Sequence, residues 1–162
     1  MKLGTKGRYA VMAMVDLASR VQDGPVSLAD VATRQDISLS YLEQLFAKLR
    51  KADLVKSIRG PGGGYVLSIP AERIMISSIV LAVDEPLDVT RCGQKEQGCM
   101  SGGERCVTHD LWTALTLEIY NFLDRVSLAD VITRNLQHLL RANTAQTAMK
   151  TAAFASNKET AA

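Results

Sequence analysis

Leu39-Ser40-Tyr41-Leu42-Glu43-Gln44-Leu45-Phe46-Ala47-Lys48-Leu49, followed by Arg59-Gly60-Pro61-Gly62-Gly63-Gly64-Tyr65, decides how this chain folds. In the first string Leu42, Leu45, Phe46 and Leu49 recur at i, i+3, i+4 and i+7, so a helix over 39–52 would bury them as one stripe. The second string interrupts two β-branched or aromatic runs, 54–59 and 65–69, with glycine and proline, and reads as a hairpin. Upstream, Gly24-Pro25 breaks the chain, and Ser27-Leu28-Ala29-Asp30 opens a helix over 28–35 with an acid three residues after a serine. Asp36-Ile37-Ser38 is then a short turn. Helix, turn, helix and two-stranded wing is the order of a winged helix-turn-helix.

The outer face of the 39–52 helix carries Ser40, Tyr41, Glu43, Gln44, Ala47, Lys48 and Lys51. In its first turn and a half, the part that enters a major groove, Gln44 can pair with adenine and Glu43 can accept from cytosine N4. Ser38, Ser40 and Tyr41 can donate to phosphates, with Lys48 a cation on the same face. At the wing, Arg59 leads a tip poor in side chains, with Gly60 behind it, suited to a phosphate ridge or a narrow minor groove. A phosphate-cradling P-loop is excluded, because no Lys-Ser/Thr and no helix follow the glycines. Lys6 and Arg8 open a first helix over 5–20 and are further phosphate contacts. A plain solvated surface is the competing reading for each of these polar residues.

Charge agrees with this polarity. Residues 1–70 hold ten Lys/Arg against six Asp/Glu, whereas 71–141 hold seven against ten. A basic first half suits nucleic acid, and an acidic second half would face away. The apolar run 9–15 is cut by Asp16 and continues at helical period, so it is a helix rather than an export signal. The apolar run 74–83 is too short to span a bilayer and holds a short helix over 77–83 that ends before Glu85-Pro86. The expected location is the cytoplasm, with no membrane partner.

Beyond the wing, Cys92, Cys99, Cys106 and His109 fall within eighteen residues as C-x6-C-x6-C-x2-H; the chain has three cysteines and two histidines. The odd count excludes a complete disulfide framework. Three chemistries remain open on these residues: an iron–sulfur cluster, which tolerates wide spacing; zinc, which favours tighter knuckles; and reversible thiol oxidation. His109 also reads as a plain helix-start residue, and the second histidine, His138, as structural or exposed. A long helix over 108–125 follows, with Leu111, Leu115, Ile119, Phe122 and Val126 on one stripe and Trp112 and Tyr120 as core or interface aromatics. That stripe is large for an appended helix and points to dimerisation. A last helix is expected over 127–141. It opens with Val126-Ser127-Leu128-Ala129-Asp130-Val131, the six residues also found at 26–31, but the flanks differ and no structural repeat is read from them. The expected fold is thus mainly α with a small β-wing. It comprises a winged helix-turn-helix (1–84), a Cys-rich cluster-binding loop (85–107), dimerisation helices (108–141) and a disordered tail (142–162). No nucleophile–base or paired-carboxylate constellation marks an enzyme.

Taken together, Leu3-Gly4-Thr5-Lys6-Gly7-Arg8-Tyr9-Ala10, Ile37-Ser38-Leu39-Ser40-Tyr41-Leu42-Glu43-Gln44-Leu45, the Arg59–Tyr65 wing and the Cys/Cys/Cys/His set resemble the Rrf-type winged-helix family of iron–sulfur cluster regulators over residues 1–135. Both cysteine gaps are one residue longer than in the best-known member. The resemblance implies a homodimeric regulator binding double-stranded promoter DNA as repressor or activator. It implies a [2Fe–2S] cluster on Cys92, Cys99, Cys106 and His109, partnership with the iron–sulfur assembly machinery, and control of iron–sulfur biogenesis genes. Two other readings are an iron–sulfur carrier or redox protein with a vestigial helix-turn-helix, and a zinc-stabilised DNA-binding protein that senses nothing.

Overall fold

Helix α1 (Thr5–Ala18) places Ala10, Ala13, Met14 and Leu17 on one face, and all four are buried. The structure, a computed structural model, describes residues 4–85, 87–89, 99–100 and 103–137. Against α1 pack α2 (Leu28–Gln35) and α3 (Leu39–Lys51). The Ser27 hydroxyl accepts from Asp30 N at 3.1 Å and caps α2. Asp36 ends α2 in the left-handed region, φ 52, which the short polar side chain of aspartate tolerates. Ile37, buried in the turn, plugs the corner between the two helices, and the predicted stripe Leu42, Leu45, Phe46 and Leu49 is buried whole.

Strands β1 (Val55–Ile58) and β2 (Gly64–Leu67) pair antiparallel from Val55–Leu67 to Ile58–Gly64. Tyr65 also bridges Val26, with N···O distances of 2.8 and 3.0 Å, so the wing is seated on the segment leading into α2. Gly64 permits this seat: a Cβ there would collide with the Val26 carbonyl. At the tip Gly60 and Gly62 have φ of 112° and 72°, and Gly63 N donates to Gly60 O at 2.9 Å.

Helix α4 (Ile76–Ala82) returns across α1, burying Ile76, Ile79 and Val80, and ends at Asp84, φ 54. Helix α5 (His109–Asp124) then lies against α4. Ser77 Oγ donates to Asp124 at 2.6 Å, Val89 N donates to Thr116 Oγ1 at 3.1 Å, and Phe122 and Leu123 pack on the core. Trp112 and Tyr120 are exposed, which removes them from the core.

Helix α6 (Leu128–Ile132) is much shorter than the expected 127–141. It begins with a full capping box, Ser127 and Asp130 each bonding the other's backbone amide. It ends because Arg134 turns left-handed, φ 54, while Asn135 N closes back on Asp130 O at 2.9 Å. Both copies of Val-Ser-Leu-Ala-Asp-Val lead from an antiparallel bridge into a serine-capped helix, the bridge falling on Val26 in the first and on Ser127 in the second. Cys92, His138 and the tail 142–162 lie outside the described residues.

Candidate functional site

The reading face is built by α3 and held from three sides. Phe46, fully buried, meets Tyr65 edge-on with ring centroids 4.9 Å apart, so one aromatic contact ties the recognition helix to the wing. Tyr41 is half-buried and packs edge-on against Tyr9 at 6.0 Å, which fixes the N-terminal half of α3 to α1. Asp16 of α1, buried, takes Arg34 Nε at 3.0 and 3.1 Å and Gln35 Nε2 at 2.8 Å from the end of α2. Burial alone would push the Asp16 carboxyl up. The hydrogen bonds from Arg34 and Gln35, with the Arg34 and Arg20 charges, outweigh that and hold it below the ordinary aspartate value.

Within this frame Ser38, Ser40, Glu43 and Gln44 are all exposed at the start of α3, and the Ser38 and Ser40 hydroxyls are 2.9 Å apart. Arg59 and Gly60 stand exposed at the wing tip. Lys6 and Arg8 are exposed on the first turn of α1. That turn has a cap with no sequence signal: the Glu85 carboxylate, following α4, accepts from Gly4 N at 2.7 Å and Gly7 N at 3.3 Å. A carboxylate at a helix N-terminus satisfies otherwise orphaned amides and complements the helix dipole. Lys48 is engaged within the chain, its Nζ 2.9 Å from Asp84 and 3.5 Å from Val83 O. The Lys48 hydrogen bond and charge, with Lys6 and Lys51 nearby, hold the Asp84 carboxyl below its ordinary value. No local pattern in the sequence names Asp84 or Glu85 for these roles, because their partners lie too far along the chain.

At the start of α5, Cys99 Sγ and His109 Nδ1 are 3.0 Å apart, both half-buried. His109 N donates to Cys106 O at 2.9 Å, so a tight turn joins the third cysteine to the root of α5. Cys99 N and Met100 N both donate to Glu104 O, at 2.9 and 3.1 Å, folding Cys99 back toward the same root. Cys106 Sγ lies 3.7 Å from Thr108 Oγ1. Thus Cys99, Cys106 and His109 sit around one helix start. Among the described residues no group of three potential ligands closes on a point. The donor set fits a thiophilic metal centre: thiols and an imidazole are the ligands that iron–sulfur clusters and zinc take.

Of the stripe assigned to pairing, Phe122 and Ile119 are partly covered by their own chain. Leu111 and Leu115 are exposed, at 60% and 37%, with Trp112 and Leu117 beside them. Among the described residues no helix is long and apolar enough to cross a membrane.

A helix-turn-helix whose reading helix is flanked by a glycine-tipped, arginine-bearing wing defines a winged-helix DNA-binding protein. Solved structures agree. CymR, the global cysteine regulator of B. subtilis, matches with a TM-score of 0.70 at 34% identity, over 83% of this chain and 98% of its own. T. potens IscR matches with a TM-score of 0.67 at 38% identity, over 83% and 88%. The HTH-type transcriptional regulator IscR of Aliivibrio salmonicida is 56% identical over 135 residues, 83% of this chain and 79% of that one. The IscR of Yersinia enterocolitica is 56% identical over 132 residues, 82% and 79%. Residues 3–134 match the Rrf2 family, described as iron-dependent transcriptional regulators, and the chain belongs to that family. It is a DNA-binding transcriptional regulator of the IscR type and not an enzyme.

Proposed function

We propose that the protein senses iron–sulfur status through a [2Fe–2S] cluster held by Cys92, Cys99, Cys106 and His109, and controls iron–sulfur biogenesis genes as a cytoplasmic homodimer. The observation that carries this reading is the 3.0 Å approach of Cys99 Sγ to His109 Nδ1, with Cys106 one turn away at the root of the same helix. The names of the IscR relatives and the iron dependence of the family support it. When bound, the cluster supplies a centre whose presence and oxidation state report on iron, sulfide and oxidants. The chain's own part is to gather thiols from a loop onto α5 and to fix the imidazole by the His109 N to Cys106 O bond. The assembly machinery of the cell is the partner that would load the site.

The dimer is placed on α5, where Leu111 and Leu115 are exposed and Ile119 and Phe122 continue the stripe toward the core. Promoter contact falls to Lys6, Arg8, Ser38, Ser40, Tyr41, Glu43, Gln44, Arg59 and Gly60, with Lys48 available once released from Asp84. A two-fold pair of such faces measures half-site spacing. The ligands stand at the root of the pairing helix, so their occupancy can bias that spacing through a difference in interaction energy between two states.

The test is anaerobic isolation with a visible spectrum and iron and sulfide counts on wild type and Cys92→Ala. A red-brown protein that Cys92→Ala bleaches, while remaining dimeric and changing its set of occupied promoters, is expected. Colourless protein holding zinc, or thiols that only oxidise, would overturn the cluster. A monomeric Cys92→Ala would overturn the separation of pairing from sensing.

A further inference from the structure

We infer that Asp84 is a built-in stand-in for a DNA phosphate, neutralising Lys48 on the reading face until duplex DNA displaces it. The inference rests on the DNA-facing placement of Lys6 and Lys48 proposed above and adds an attenuating residue to it. Four observations carry it.

Lys48 Nζ lies 2.9 Å from Asp84 Oδ2, and the side chains are 39% and 76% exposed, so the pair is open to exchange. Such exposed pairs are weak, so a phosphate can replace the carboxylate at small cost. Lys48 stands one helical turn beyond Gln44 and three residues before Lys51, on the side of α3 that meets DNA. Asp84 is positioned by its neighbours: Val83 is buried, and Glu85 is bonded to Gly4 N and Gly7 N, the two amides that bracket Lys6. The charges of Lys6 and Lys51 also reach the Asp84 carboxyl and lower it beyond what Lys48 does. The carboxylate therefore pairs with Lys48 of α3 and feels the charges of Lys51 on the same helix and of Lys6 on α1.

The consequence is a lower affinity for any duplex. The displaced carboxylate stays beside the phosphates and holds a cation there, so net counterion release falls by about one ion, a slope change of about 0.9. At 0.1 M monovalent salt that corresponds to about eightfold weaker binding. A regulator whose affinity for bulk DNA is kept low leaves the choice of site to its base contacts.

The experiment is fluorescence anisotropy on a random-sequence 30-base-pair duplex across a KCl series, using the full chain. Asparagine tolerates the left-handed backbone at 84, so Asp84→Asn is the variant of choice. We expect Asp84→Asn to bind about eightfold tighter at 0.1 M KCl, with a slope steeper by about one. The double variant Asp84→Asn/Lys48→Gln should return close to wild type. An unchanged slope and affinity in Asp84→Asn would overturn the inference, as would a gain that survives Lys48→Gln. Thermal melting of each variant separates a bolt from a stand-in: lowered melting with an unchanged slope would make the pair purely structural. Wild type that bound no duplex in a salt-dependent way would overturn the DNA face itself.

Discussion

Replacing Asp16 by asparagine tests whether the reading helix is fixed by charge. The Asp16 side chain is 4% exposed, against 29% for Arg34. It accepts from Arg34 Nε at 3.0 and 3.1 Å, from Arg34 Nη2 at 2.5 Å and from Gln35 Nε2 at 2.8 Å. Arg20, 3.7 Å away and 43% exposed, adds little. Asparagine keeps the volume but turns an amide N–H₂ toward two other donors and leaves Arg34 without its anion. Removing one partner of a buried ion pair costs about 3–5 kcal/mol. Arg34 can recover water, so the low end applies, and the expected loss is about 3 kcal/mol. For a chain of this size that lowers the melting temperature by about 6–12 °C.

The loss has a pH signature. The folded-state carboxyl lies below its ordinary value, so its contribution is complete above the unfolded value of about 3.9 and fades as pH falls toward the folded one. Urea unfolding followed by circular dichroism on chelator-treated protein should give a wild-type–variant gap that is flat from pH 7 to pH 5 and closes below about pH 4. A gap under about 0.5 kcal/mol at pH 7, the range of an ordinary surface change, would refute the reasoning. So would a gap that persists undiminished at the lowest pH where the protein still folds.

Two further substitutions probe the reading and pairing faces. Glu43→Ala should broaden the set of bound sequences, because a carboxylate facing phosphates is tolerated only where a donor such as cytosine N4 meets it; selection from a randomised library that returned the wild-type preference would remove this role. Leu115→Lys, on the exposed stripe of α5, should weaken the proposed dimer by at least about a hundredfold, equivalent to about 2.7 kcal/mol. Sedimentation showing an undiminished dimer would move the interface elsewhere.

The parts of this fold that could be read from sequence are those written in local pattern. The α3 stripe, the serine before α2 and the glycines of the wing each announce themselves within a dozen residues, and α5 begins and ends within one residue of its periodic run. What escaped is carried by contacts between distant positions. Glu85 caps a helix that begins about eighty residues earlier, Asp16 holds Arg34 across a helix corner, and Lys48 finds Asp84 from a different helix. Helix α6 was overestimated because nothing in Thr133-Arg134-Asn135 demands a stop; the left-handed turn falls on arginine rather than on the asparagine that prefers it. At the cysteine site the residue types were legible and the partner choice was not. The closeness of Cys99 to His109 depends on the Glu104 carbonyl, which gathers two backbone amides and which no side-chain motif records.

Among the described residues, the bonds that fasten α5 to the helical core gather toward its C-terminal half. Its C-terminal half is strapped down by Asp124 on Ser77, by Thr116 on Val89 and by the Met75–Ser127 bridge just beyond its end. The eight residues from Thr116 back to His109 span about 10 Å, and the far end is tied to the cysteine turn by His109 N on Cys106 O and by the approach of Cys99 Sγ to His109 Nδ1. A tilt of about 10° at the anchor carries the tip by about 2 Å. On the proposed reading, a chemical event at the tip would move Leu111 and Leu115 sideways, and a partner pressing on those leucines would act back on the sulfur site.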